Sequence, residues 1–232
     1  LTSILRRPFV RRLRAVLVGA SLAVAATFRA DTALGQGGLP VLRDPDLLLR
    51  AAPAPDSFSV RFTTSQGTFL VLVRRALAPV GVDRFHALVR HGFFDGQRFF
   101  RVREGFIAQF GLHPDPAVIA AWKPRTMSDD PPAAKNRRGW MAYAFTTAGT
   151  RSTQIFINLA DNAQLDAEPF APFAEIIEGL DVIDRLYAGY GETAGGGMRG
   201  GKQGPIEAEG NRYFERLFPK LDYIRSARLV DR

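Results

Sequence analysis

Residues 92–111 read GFFDGQRFFRVREGFIAQFG, and this stretch decides the fold. It holds six of the chain's eighteen phenylalanines (93, 94, 99, 100, 106 and 110), with Arg98, Arg101 and Arg103 set among them. The runs FFRV and GFIAQF flank the turn sequence REG, which predicts two short strands joined at that turn. A strand with only a packing task has no need of arginine among its aromatics. The pattern therefore points either to core with solvated edges or to an apolar pocket built around one cation.

Upstream, FSVRFTTSQGTFLVLVRR places Phe58, Val60 and Phe62, then Phe69, Val71 and Val73, at every second position around TSQG. Period-2 alternation on both sides of a short turn predicts a hairpin. APVGVDRFHALVRHG follows with Val82, Phe85, Leu88 and Val89 at helical spacing and Gly92 as a stop. Downstream, residues 112–138 carry five prolines and few periodic apolar residues, and read as loop. GWMAYAF, STQIFINL and FAPFAEII read as further strands, GLDVIDRLYAGYG as a short helix, and the C-terminal segment as a helix and a closing strand over residues 223–230. Seven or eight short strands with two or three helices predict a mainly β domain, barrel or sandwich.

The remainder of the chain sets the boundaries. RRPFVRRLR followed by the apolar run of residues 15–28 predicts a signal peptide over residues 1–35, and hence a periplasmic or secreted protein with no stable membrane insertion after cleavage. Residues 36–56, rich in Gly, Pro and Ala, read as a linker, and residues 57–232 as the folded domain. The formal charge of +8 divides unevenly. Six arginines against Asp31 give residues 1–35 a net +5, leaving +3 for the rest, so no nucleic-acid partner is expected.

Several chemistries drop out. There is no cysteine, which excludes disulfides, thiolate metal sites and thiol nucleophiles. His86, His91 and His113 lack metal-ligand spacing, so no metal is expected, and His86 and His91 read as surface or cap residues. The Gly-rich loop at residues 191–205 lacks the GK[ST] ending of a phosphate cradle, and no cofactor is expected.

The opening stretch, with RRGWMAYAFTTAGTRSTQIFIN and QLDAEPFAPFAEIIEGLDVIDRLY after it, resembles the cyclophilin-type peptidyl-prolyl isomerases. The matching motifs occur in family order over roughly residues 58–191. The resemblance implies a closed eight-stranded antiparallel barrel capped by two helices. It also implies a peptidyl-prolyl cis-trans isomerase, expected to be a monomer, acting on proline-containing polypeptides. Arg101 stands in the place of the family's catalytic arginine and Gln109 in that of the glutamine that orients it. Phe106, Ile107, Ala144, Phe145, Gln154, Phe156, Leu165 and Phe170 stand at substrate-binding positions. Departures are Phe100 for a histidine, Glu104 for a proline, Ile107 for a methionine, Phe145 for an asparagine, Gln164 for a tryptophan tied to cyclosporin binding, and Phe170 for a pocket histidine. Arg98 and Arg103 match no functional position and read as solvated.

The implied chemistry needs little. Rotation about an Xaa-Pro amide faces a barrier of about 18–20 kcal/mol set by amide resonance. A fixed guanidinium favours the twisted amide over the planar one, and apolar walls hold the ring and dry the site. The substitutions at 100, 145 and 170 leave a second reading open, a catalytically weak peptide-binding or scaffolding module on the same fold.

Overall fold

The hairpin forms as the alternation requires: β1 (Ser57–Thr64) and β2 (Thr68–Arg74) pair antiparallel with Phe62 opposite Phe69. The computed structural model describes Thr2, residues 39–197 and residues 202–230. The signal peptide expected over residues 1–35 lies, Thr2 apart, outside them. Six more strands follow: β3 (Arg101–Arg103), β4 (Ile107–Phe110), β5 (Trp140–Tyr143), β6 (Ile155–Asn158), β7 (Pro172–Glu178) and β8 (Ile224–Val230). Together the eight make one antiparallel sheet in the order β3-β4-β6-β5-β7-β2-β1-β8.

The sheet curls, but its ladder does not close as the expected barrel would. β3 and β8 remain its edges. They approach through one isolated bridge, Arg98 to Tyr223, flanked by backbone bonds from Phe99 N to Asp222 O (2.9 Å) and from Gly96 N to Ile224 O (2.8 Å). β3 is only three residues long, too short to carry the ladder further along the seam. Arg98, expected to be solvated, is instead 16% exposed along its side chain and lies over the Tyr223 ring at this seam.

Strand alternation divides the side chains between two faces. The inner face carries Val102, Ala108, Phe110, Met141, Ile155 and Ile157, all buried in the main core. Phe62 sits at its centre, with Phe69 at 5.0 Å and Phe110 at 6.0 Å between ring centroids. Each such ring contributes about 1.5–3 kcal/mol by leaving water.

Six α-helices occur among the described residues, where two capping helices were expected. Residues 36–56 are not simply a linker: α1 (Leu39–Leu42) and α2 (Pro45–Leu49) bury Leu42 and Leu48 in the core. The long expected helix is α3 (Pro79–Arg90), which buries Val82, Phe85, Leu88 and Val89 as its spacing requires. Inside the expected loop at 112–138 lies α4 (Pro116–Trp122), started by the Asp115 carboxylate on Ala117 N. Its Trp122 donates to Leu42 O at 2.8 Å, so the two misread segments hold each other. α5 (Gly204–Glu209) and α6 (Asn211–Leu217) follow the Gly-rich loop, and the short helix expected at GLDVIDRLY is a 3-10 turn, Leu180–Arg185.

Candidate active site

The register of four strands builds the site. Directly opposed residues of an antiparallel pair share a face. Arg101 of β3 lies opposite Gln109 of β4, Gln109 opposite Phe156 of β6, and Phe156 opposite Ala142 of β5. These four therefore form one row across the outer face, back to back with the core row. Ile107, two residues from Gln109, joins the same face. A one-residue slip in any pairing would turn the row inward.

Ile107, Ala142 and Phe156 form an apolar cluster separate from the main core, with Phe106, Ala144, Leu165 and Phe170 packed against it. Six of the eight residues expected at substrate-binding positions thus meet in one patch: Phe106, Ile107, Ala144, Phe156, Leu165 and Phe170. Phe145 joins it by stacking on Phe170, and Gln154 borders it beside Gln109. All eight line a cleft of about 630 Å³, as do Arg101 and Gln109. Gly111 lets the chain pass there, at φ 118° and with no room for a side chain: a Cβ would lie 2.4 Å from Gln154 Cα.

Polar side chains form a chain along the cleft wall. Arg101 Nη1 donates to Gln109 Oε1 at 3.2 Å, and Gln109 Nε2 donates to Gln154 Oε1 at 2.9 Å. The Arg101 side chain is 14% exposed, and its guanidinium carbon stands 5.9 Å from the Phe106 ring centroid. Arg103 is 57% exposed, solvated as expected, and also lies over Phe106, at 5.4 Å. A fixed cation beside an apolar wall is an arrangement that can stabilise charge shifting within a bound amide.

Other lining residues carried no legible sequence signal. Leu112, His113, Ile119 and Trp122 floor the far end of the cleft, and Lys123 and Glu207 pair across its rim at 2.8 Å. Burial pushes the His113 imidazole down to about 4, against the pull of Asp115 and Asp95. α4 and α5 supply most of this end, and neither helix is long enough to announce itself by periodicity.

Phe100 does not face the cleft. It is 1% exposed and stacks on Phe214 of α6 (6.4 Å, 4° between planes), in a second small core with Leu112, Ala194, Ile206 and Leu221. Phe100 precedes β3, which begins at Arg101, and Phe99 and Val102 on either side of the two enter the main core instead.

Residues 59–203 match the family described as "Cyclophilin type peptidyl-prolyl cis-trans isomerase/CLD", more than half of the chain. The chain belongs to this family. Peptidyl-prolyl cis-trans isomerase A of Dickeya dadantii (strain 3937) is 33% identical over 141 residues, 59% of this chain and 74% of its own length. Peptidyl-prolyl cis-trans isomerase B of Escherichia coli (strain K12) is 32% identical over 135 residues, 55% of this chain and 82% of its own. In fold, the chain is similar to a cyclophilin-type isomerase of Cryptosporidium parvum, with a TM-score of 0.54 at 20% identity, covering 76% of this chain and 99% of that one. The same parasite protein has been solved in the presence of the dipeptide Ala-Pro (TM-score 0.53, 22% identity, 75% and 99% covered). As a cyclophilin-type protein, this chain is a peptidyl-prolyl cis-trans isomerase. In this chain Phe145 and Phe170 line the cleft as a stacked aromatic pair.

Proposed function

We propose that the cleft isomerises Xaa-Pro bonds by seating the pyrrolidine ring against Phe106, Ile107, Phe156, Leu165 and Phe170 while Arg101 stabilises the twisted amide. The observation that carries this reading is the row Arg101–Gln109–Phe156, which sets a largely buried cation beside an apolar cluster on one sheet face. As the amide twists, the prolyl nitrogen regains its lone pair and the cation's attraction grows, so the transition state gains more than the planar ground state. Gln109 keeps the guanidinium in place, and Gln154 keeps Gln109. Rotation breaks no covalent bond, so these residues complete the reaction without a general base. That the parasite relative has been solved in the presence of the dipeptide Ala-Pro supports a proline-containing peptide as the occupant.

The test is an exchange assay on short Xaa-Pro peptides with Arg101→Ala. Its kcat/KM should fall about 100-fold, the scale of removing one preorganised transition-state donor, with an unchanged melting temperature. Undiminished turnover by a folded variant would falsify the role given to Arg101. Wild-type protein that binds such peptides without speeding their exchange would instead favour the peptide-binding module.

The basic, then apolar, leader supports export, and we place the protein in the periplasm or outside the cell, acting as a monomer on exported polypeptides. Fractionation of the native host, N-terminal sequencing of the mature chain and its mass in solution test those three points.

A further inference from the structure

The Gly-rich segment at residues 191–205 has no part in the reading above, yet both of its ends join the side-chain chain that runs through Arg101. Glu192 is the only acidic residue in it. Its Oε1 accepts from Arg101 Nε at 3.1 Å and from Arg101 Nη2 at 2.5 Å. At the other end, Gln154 Nε2 donates to Gln203 Oε1 at 2.9 Å. Glu192, Arg101, Gln109, Gln154 and Gln203 thus form one unbroken side-chain chain that begins and ends in this segment.

We propose that Glu192 is a positioning residue for Arg101, which makes the Gly-rich segment part of the isomerase machinery. The proposal rests on Arg101 being the catalytic cation. A guanidinium has five N–H donors in a rigid plane. Glu192 takes two, from Nε and Nη2, and Gln109 takes one from Nη1, which leaves two for a substrate. Contacts on both edges of the plane fix its rotation, and orientation decides how much of the cation's field falls on the prolyl nitrogen. Arg101 lines the cleft and Glu192 does not. The carboxylate therefore backs the cation and does not compete with substrate for it.

The segment around Glu192 is itself held. Val102 N, one residue along β3 from Arg101, donates to Gly191 O at 3.2 Å. Ala194 is fully buried in the Phe100 core, and Gly195 lies so close that a Cβ would meet Phe100 Cδ2 at 2.8 Å. Glu192 O accepts from Gly197 N at 3.0 Å. The carboxylate is thus presented by ordered backbone, which a positioning group requires.

The test uses the full chain with Glu192→Ala, Glu192→Gln and Arg101→Ala in one exchange assay. Glu192→Ala should lower kcat about tenfold, the usual scale for a residue that orients a reacting group, with KM within about twofold of wild type. Glu192→Gln keeps an acceptor oxygen and should restore most of kcat. The Arg101 Nε–H signal in ¹H–¹⁵N spectra should be resolved in wild type and Glu192→Gln and lost to exchange in Glu192→Ala. Wild-type or higher kcat in Glu192→Ala, or a loss confined to KM, overturns the proposal. If Glu192→Ala does not fold, Glu192→Asp, which withdraws the carboxylate by one methylene, is read by the same criteria. Full activity in Arg101→Ala would instead overturn the role of the arginine itself, so the two failures are distinguishable.

Discussion

Phe145 and Phe170 stack with ring centroids 4.3 Å apart and planes 29° from parallel, and Phe170 meets Phe156 edge-on at 5.4 Å and 84°. Phe170 is thus the middle of three rings, joining a loop residue to the strand residue at the floor of the cleft. Such pairs are worth about 0.5–1.5 kcal/mol each beyond their area. Phe170→Ala should raise KM for Xaa-Pro peptides roughly tenfold and leave kcat within about twofold, because the wall binds ground and transition states alike. A fall in kcat with KM unchanged would mean that Phe170 acts on the amide rotation itself.

How much of this was legible in the sequence depended on the kind of signal. The hairpin of β1 and β2 and the helix α3 were readable because Phe58–Val60–Phe62 and Val82–Phe85–Leu88 repeat at strand and helix periods over enough residues. Arg101 and Gln109 could be paired only through the family resemblance, and the register of β3 on β4 then sets them opposite each other. α4 was not readable: it is seven residues long, sits among prolines, and exists because Trp122 and Val118 find a core formed by distant chain. Glu192 was missed for the same reason. A single acid in a Gly-rich run carries no period, and only tertiary packing through Phe100 and Ala194 brings it to Arg101.

Phe100→Ala separates packing from catalysis. The ring is 1% exposed and central to the small core that holds Ala194, Ile206 and Phe214. Its loss should cost about 3 kcal/mol, the lower end for a buried phenylalanine, read as a lower urea midpoint. Because Glu192 hangs from that core, activity of the folded variant should fall too, through kcat. A stability loss with full activity would show that the small core and the cleft are uncoupled.

Asp130 ties three segments. It is 2% exposed, accepts from Val80 N and Gly81 N at the start of α3 (2.9 Å each), and pairs with Arg151, itself 1% exposed, at 3.1 Å. Asp130→Ala would leave the Arg151 charge buried beside Asp129 alone, and two helix N–H groups without a partner. It should cost about 3–5 kcal/mol, the usual penalty for breaking a buried pair from one side. Asp130→Asn keeps one acceptor for the helix and should cost less. Equal urea midpoints for wild type and Asp130→Ala would show that the pair contributes nothing.

His113 makes stability depend on pH between 6.5 and 4. Burial holds its imidazole at about 4 against an ordinary value of 6.5, outweighing the nearby Asp115 and Asp95 carboxylates. Nδ1 accepts from Asp115 N at 3.0 Å, which assigns the ring proton to Nε2. As pH falls from 6.5 towards 4, the unfolded chain takes up a proton that the folded ring refuses. Folding stability therefore drops through that window, is complete above it, and has lost this contribution below it. From pH 7 to pH 5 the loss from this one group is about 2 kcal/mol. His86 and His91 are also held low, by burial and by Arg90, so the whole-protein slope is steeper than one residue gives. The difference between wild type and His113→Gln isolates the buried ring. Urea unfolding at pH 7 and pH 5 should show the variant losing about 2 kcal/mol less than wild type, and equal losses would place the ring in water rather than in the cleft floor.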